Sequence, residues 1–292
     1  MTSKEFKIID LVQGSDEWLS LRKTYIGSSD APIIMGVSPY KTKNRLWKEK
    51  LGLIESEAPS IHMVTGTAME PEIRARVIEQ LGISFEPKVL VSHKYPFMMA
   101  SLDGFDETET VVLEVKLNNA TNHALAKENK VIDHHMYQLQ HHLAVSGAKM
   151  VLYASFHNDE LIISKVLPNI DIIKGLVDEE EEFFNDLRNG KEPELSDKDF
   201  VKMESEEWAK EAEEFVKLHA VKKEISEQYE AKRDRLIFLA NERSSFGAGV
   251  RVSKIFPRGR VKYDKIPELK GIDLEPYRDP PKAVYKVMPA DE

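Results

Sequence analysis

Ten residues separate Asp103 from Glu114, and Lys116 follows two positions later. The segments around them read as strands, Phe97 to Leu102 and Val111 to Leu117, on either side of an Asp103-Gly104 turn and an acidic linker. On a strand alternate side chains share a face, so Glu114 and Lys116 point one way while Leu113, Val115 and Leu117 point into the core. A hairpin of that length brings the Asp103 carboxylate beside Glu114. Two carboxylates side by side repel and call for a cation; hard oxygen ligands suit Mg2+, with Mn2+ as the alternative. A lysine at that place can orient a water, or help deprotonate it, for attack on phosphate. The pattern is short and also fits a surface hairpin with an ordinary Glu–Lys arrangement, so alone it does not decide.

The elements that must position these residues follow from caps and periodicity. Ser15 caps a helix running to about Tyr25, and Ser28-Ser29-Asp30 opens a second through Met35, closed by Gly36. Asn44 to Leu51 reads as a third helix, and a longer one starts near Ala68, with Pro71 in its first turn and Gly82 at its end. Strands at 85–91, 97–102 and 111–117 come next, then helices at 120–127 and 132–146, strands at 151–156 and 161–166, and a helix at 169–189. The order predicts an α/β (α+β) core, a central mixed sheet flanked by helices, over residues 1–195. Residues 196–292 form a second region. There, apolar residues at Trp208, Phe215, Leu218, Ile225, Tyr229, Leu236 and Leu239 keep a heptad spacing, which predicts a long amphipathic helix, either a coiled-coil arm or one packed on the core. A small β appendage and an extended tail follow.

Composition narrows the function classes. With 292 residues, 41% hydrophobic and 31% charged, the chain suits a globular protein with a full core. No apolar run approaches the ~20 residues of a bilayer-spanning helix, and the N-terminal MTSKEFKIID lacks the apolar stretch of a secretory signal; a cytoplasmic location is expected. The absence of cysteine excludes disulfides, thiolate zinc sites, iron–sulfur clusters and a cysteine nucleophile. A net charge of −9 argues at first against a nucleic-acid partner. However, residues 178–214 carry 16 acidic and 5 basic residues, which leaves the remainder slightly basic. Two segments are locally cationic, Lys41–Lys50 and Arg243–Lys265. Each also fits a plain solvated face.

Other residues carry two readings each. Ser29, placed at a helix start, meets free N–H groups that favour an anion, and Arg22 offers a planar fork for phosphate; Ser29 as a mere N-cap and Arg22 as a surface residue are the plain alternatives. His134, His135, His141 and His142 lie seven apart in pairs, a spacing that invites a metal reading; contact with DNA or packing fits better. Trp18 and Trp47 read as core residues rather than base-stacking platforms. Gly247-Ala248-Gly249 lacks the strand–helix context of a phosphate loop.

Taken in order, Gln13-Gly14-Ser15-Asp16-Glu17-Trp18 with Leu21-Arg22, Ile26-Gly27-Ser28-Ser29-Asp30 followed by Met35 to Tyr40, Leu46-Trp47, Gly66 to Pro71, Ala100 to Gly104, Leu113 to Lys116 and Tyr137 to Gln140 resemble the PD-(D/E)xK nuclease superfamily. Within it they are similar to the lambda-exonuclease-like, YqaJ-type phage recombination exonucleases. The resemblance covers about residues 10–170, and Leu102 stands where the superfamily pattern has proline. It implies a restriction-endonuclease-like core and a Mg2+-dependent exonuclease working 5′ to 3′ on linear double-stranded DNA. Asp103, Glu114 and the Val115 carbonyl would hold metal, Lys116 would position the nucleophilic water, Glu70 at the start of its helix would complete the metal shell through water, and Gln138 would contact the site. Arg22, Ser29 and Ser101 would form a pocket for the 5′-phosphate. A ring-shaped homotrimer threading the DNA and a single-strand annealing partner are also implied. An endonuclease of the same fold and a catalytically silent DNA-binding module remain as alternatives.

Overall fold

The computed structural model describes residues 5–108, 110–257, 259, 266–269, 272 and 289. The chain divides into a unit spanning Met1–Phe200 and a second spanning Val201–Glu292. In the first, β1 (Phe6–Ile9), α1 (Asp16–Thr24), β2 (Ile26–Gly27), α2 (Ala31–Ile34), α3 (Lys43–Lys50) and α4 (Ile61–Leu81) precede the central strands β3 (Glu86–Ser92), β4 (Met98–Asp106) and β5 (Val111–Leu117). After these come α5 (Ala120–Lys127), α6 (Asp133–Ser146), β6 (Met150–His157), β7 (Glu160–Val166) and α7 (Ile170–Asn189). One mixed sheet runs β1-β3-β4-β5-β6-β7, antiparallel except where β5 meets β6, and the short β2 pairs in parallel with the start of β4.

Both faces of this sheet are covered, so its central strands read as continuous apolar runs. Against one face, Leu139 and Leu143 of α6 and Val177 and Phe183 of α7 pack on Leu90, Ala100, Leu102, Val112 and Tyr153. Against the other, Ile73 and Val77 of α4 pack on Phe85, Leu113, Val115 and Leu152. A small third cluster sets Trp18 and Leu21 of α1 on Val89, Val91 and Met99.

Three local expectations need correcting. Asp103-Gly104 is not a turn: β4 continues through both residues to Asp106. From Lys88 to Glu86 the third strand takes two steps while its partners on β4, Leu102 and Phe105, are three apart. One extra residue is therefore inserted at Asp103-Gly104, a β-bulge, which kinks the strand and re-aims a side chain. Second, α4 starts at Ile61, seven residues before the expected Ala68, where the Ser60 hydroxyl accepts from the Met63 N–H; Pro71 lies inside the helix, and Glu70 with it. Third, α2 has only four residues, and Asp30, not Ser28 or Ser29, stands at its N-cap position, without a side-chain bond to the helix. The edge strand β1 and the two-residue β2 carry too few residues to show a period in sequence.

The second unit holds α8 (Glu206–Leu239), N-capped by Ser205, and a hairpin of β8 (Ser245–Gly247) and β9 (Val250–Val252). None of the α8 residues is buried, and Trp208, Leu218, Ile225 and Tyr229 of the heptad stripe stay exposed. The Gly247-Ala248-Gly249 sequence forms the hairpin turn, with positive φ at Ala248 and Gly249. Of the basic segment Arg243–Lys265, Arg258 and residues 260–265 lie outside the described residues, as does most of the tail after Leu269.

Gly104 shows how tightly the bulge is built. A Cβ there would stand 2.7 Å from the Phe85 Cβ and 3.1 Å from the Leu113 Cβ, both in the core. Overpacking of a close-packed core costs typically ~1–3 kcal/mol. Gly104→Ala is therefore expected to lower unfolding stability by about that amount in urea denaturation, and to shift Asp103 with the strand.

Candidate active site

The bulge decides where the Asp103 carboxylate goes. The β4–β5 ladder is in register at Gly104 and Leu113, and at the next step the Asp103 side chain itself takes over, its Oδ2 accepting the Val115 N–H at 2.8 Å. Arg74 of α4 donates to the Asp103 carbonyl at 2.8 Å and pins the bulge from the other side. Glu114 points toward α6, on the face of β5 shared with Val112 and Lys116, and is buried. Its Oε1 receives the Lys116 ammonium at 2.5 Å and the Gln138 amide at 2.7 Å, and its Oε2 lies 2.9 Å from His142 Nε2. Gln138 and His142 are four residues apart, so they share one face of α6. Leu139 and Leu143 anchor that helix in the core.

The charges respond to this crowding. Burial, then the neighbouring Glu114, raise the Asp103 carboxyl well above its usual range. Burial would raise Glu114 as well, but Lys116 and then His142 outweigh it and bring Glu114 down to about 2. The Lys116 ammonium, despite burial, is raised by Glu114 and Asp103. Glu70 on α4 is raised by burial and by the Glu114 charge. Among the described residues, no three His, Asp or Glu side chains stand close enough to enclose an ion as they are placed; the Glu114 oxygens face Lys116, Gln138 and His142. The donor set nonetheless suits a hard divalent cation. It offers carboxylate oxygens side by side, with Asp103 and Glu70 held toward protonation by burial and then by the Glu114 charge, which a cation would offset.

A second cluster joins α1, the 26–30 loop and β4. Arg22 Nη2 donates to Ser29 Oγ at 2.5 Å, its guanidinium lies 5.0 Å over the Trp18 ring, and Trp18 Nε1 donates to Ser101 Oγ at 2.8 Å. Arg22, Ser29 and Ser101 are thus brought together, with Trp18 as the link; the indole is half-buried and not purely a core residue. Trp47, by contrast, is buried as expected. The helix-terminus argument for an anion at Ser29 falls away, because α2 is a single turn and the Asp30 carboxylate already accepts the Gly27 N–H at 2.9 Å. Positive charge here comes from Arg22. Asp30 is held ionised against burial by Lys50, 2.8 Å away, and by Arg22. Lys50 also donates to the Arg22 and Tyr25 carbonyls and so fixes the end of α1.

The histidines have distinct places. His142 bridges Glu114 and Ser28, whereas fully buried His141 lies 2.8 Å from Glu180 and 2.9 Å from the Met99 carbonyl. His135 meets the Tyr153 hydroxyl at 2.8 Å, and burial followed by the Lys116 charge brings it down to about 3. His134 packs edge-on to Tyr40. The contacts of His142, of Lys50 and of the Trp18 indole N–H were not visible in sequence; those partners lie 20 to 114 positions away, and only the i,i+4 spacing of Gln138 and His142 hinted at a shared target.

Residues 17–149 match the YqaJ-like viral recombinase domain family, and the resemblance read from the motifs is borne out. The uncharacterized protein YqaJ of Bacillus subtilis (strain 168) is 28% identical over 204 residues, which span 67% of this chain and 64% of that relative. The match therefore reaches less than two thirds of the relative's length. Among solved structures, an alkaline exonuclease from Laribacter hongkongensis, LHK-Exo, matches with a TM-score of 0.53 at 20% identity, over 60% of this chain and 94% of that one. The structure of LHK-Exo in complex with dAMP matches at 0.52, with the same identity and coverage. The first unit accordingly has the exonuclease-type mixed α/β fold.

A carboxyl raised by its surroundings favours the folded state below its unfolded pKa of about 4 and loses that advantage as pH climbs through the folded value. In metal-free protein, Asp103→Asn removes this loss while keeping an oxygen for the Val115 N–H. The variant is expected to melt a few degrees above wild type at pH 8, with the gap closing toward pH 4; ~1 kcal/mol corresponds to about 2–4 °C in a unit of this size.

Proposed function

We propose that this YqaJ-like chain is a Mg2+-dependent deoxyribonuclease that degrades one strand of linear double-stranded DNA from its 5′ end, releasing 5′-mononucleotides and leaving a 3′ overhang. The observation that carries the reading is the convergence of Asp103, Glu114, Lys116 and Gln138 from β4, β5 and α6 on one point. Asp103, Glu114 and the Val115 carbonyl would hold the metal, with Glu70 reaching it through water. When bound, the ion supplies Lewis-acid polarisation of the scissile phosphate and stabilises charge on the leaving oxygen.

The chain's own groups do the rest. Lys116, a permanently charged ammonium on the rim of the carboxylate pair, orients the attacking water and lowers the cost of the charge that develops on phosphate. Gln138 donates to the same Glu114 oxygen that Lys116 meets and so holds that carboxylate in place. Arg22 and Ser29, with Ser101 held by Trp18, form a donor cluster suited to a terminal phosphate. Engagement of a 5′-phosphate there makes the enzyme an exonuclease rather than an endonuclease. That LHK-Exo has been seen with dAMP agrees with a product of this class. A silent DNA-binding module would have no use for an intact Asp–Glu–Lys set. The reading also includes a homotrimer encircling the duplex, a single-strand annealing protein as partner and a cytoplasmic location, all of which rest on the family resemblance; no described helix is long and apolar enough to cross a membrane.

The test is cleavage of 5′-phosphorylated against 5′-hydroxyl linear duplex in Mg2+. Wild type should prefer the phosphorylated end, and Arg22→Ala should erase the preference while leaving slow cleavage. Lys116→Ala should lower kcat by about 10²–10³, the usual worth of one preorganised donor aimed at developing charge. Equal rates on both ends would refute the pocket, and an unchanged kcat for Lys116→Ala would refute the mechanism.

A further inference from the structure

His142 is fully buried in α6, and its two ring nitrogens reach two different elements. Nε2 stands 2.9 Å from Glu114 Oε2, and Nδ1 stands 3.0 Å from the hydroxyl of buried Ser28. An ionised carboxylate has no hydrogen to give, so Nε2 carries the ring proton and donates it. The neutral ring then presents Nδ1 as an acceptor, and the Ser28 O–H donates to it. The donors run one way, from Ser28 through the imidazole to Glu114, and neither ring nitrogen is left unsatisfied.

The other Glu114 oxygen has different company. Oε1 meets Lys116 and Gln138, the groups assigned to the reacting centre. A glutamate with one oxygen gripped from behind keeps its carboxylate plane when the groups on the other oxygen move. We propose that His142 is a positioning residue that holds Glu114 by Oε2 and presents Oε1 to the divalent ion, with Ser28 fixing the imidazole tautomer. Because Ser28 adjoins Ser29 and Asp30, the same contact sets the carboxylate against the loop that carries the Arg22 cluster. This inference rests on the metal-dependent nuclease reading. Groups that orient a metal ligand typically change metal affinity or activity 10–100-fold when removed.

The test is calorimetric titration of the full chain with Mn2+, without DNA, each variant first shown to melt cooperatively. His142→Phe, which keeps a ring but loses both nitrogens, should bind Mn2+ about 10–100-fold more weakly than wild type. His142→Gln, whose amide N–H can replace Nε2–H, should recover to within about fivefold. Ser28→Ala should weaken binding about 3–10-fold, the worth of one net hydrogen bond. A purely structural role would lower the melting temperature of both His142 variants alike and show no rescue of affinity by glutamine; that result overturns the proposal, as does a folded His142→Phe with wild-type affinity. Should His142→Phe fail to fold, unchanged affinity in Ser28→Ala overturns it instead. A wild type that binds Mn2+ yet cuts no DNA refutes the nuclease reading and leaves His142 to be judged from the same affinities. A wild type that binds no divalent metal refutes both.

Discussion

Two carboxylates, buried Glu114 and half-buried Asp103, stand side by side, and the site is organised around that repulsion. Burying one uncompensated charge is costly, and burying two of like sign is more so. The chain resolves it unequally. Glu114 is surrounded by donors from Lys116, Gln138 and His142 and stays ionised, while Asp103 has the Val115 N–H and is pushed toward protonation. A site so arranged has a standing affinity for positive charge. Lys116 satisfies part of it, and a divalent ion with oxygen preference suits the remainder.

The rest of the fold can be understood as what holds this imbalance in place. The bulge in β4 turns Asp103 toward β5, bare Gly104 lets the bulge pack against Phe85 and Leu113, and Arg74 ties its backbone to α4. Leucines of α6 seat that helix on the sheet so that Gln138 and His142 arrive one turn apart at the same carboxylate. On the neighbouring loop the pattern repeats with opposite sign. Asp30 is buried between Lys50 and Arg22, and that ion cluster positions the guanidinium near Ser29 and Trp18.

Sequence made some of this legible and hid the rest for physical reasons. The strand alternation around Glu114 and Lys116 and the helices capped by Ser15 and ended by Gly82 or Gly147 are local signals, and they stand where expected. Asp103-Gly104 was misleading because the same dipeptide serves turns and bulges; only pairing with β3 distinguishes them. Pro71 misplaced the start of α4, since the helix runs on through it, and Ser60 marks the true cap. Ser29 suggested a helix-end anion site that a one-turn helix with Asp30 at its N-cap position does not provide. The roles of His142, Lys50 and Trp18 depend on partners far along the chain, which no local spacing reveals. The acidic total of −9 was equally uninformative, because the charges that matter are placed singly rather than summed.

The central claim, that this carboxylate pair becomes a nuclease centre working from a DNA end when a divalent ion joins it, is tested most directly with one substrate pair. The wild-type chain is incubated with the same duplex as a linear molecule and as a covalently closed circle, in Mg2+ and in EDTA. Mg2+ is expected to permit loss of one strand of the linear form from its 5′ ends, with mononucleotides appearing, while the circle stays intact and EDTA stops everything. Nicking of the closed circle, or degradation that continues in EDTA, would contradict it.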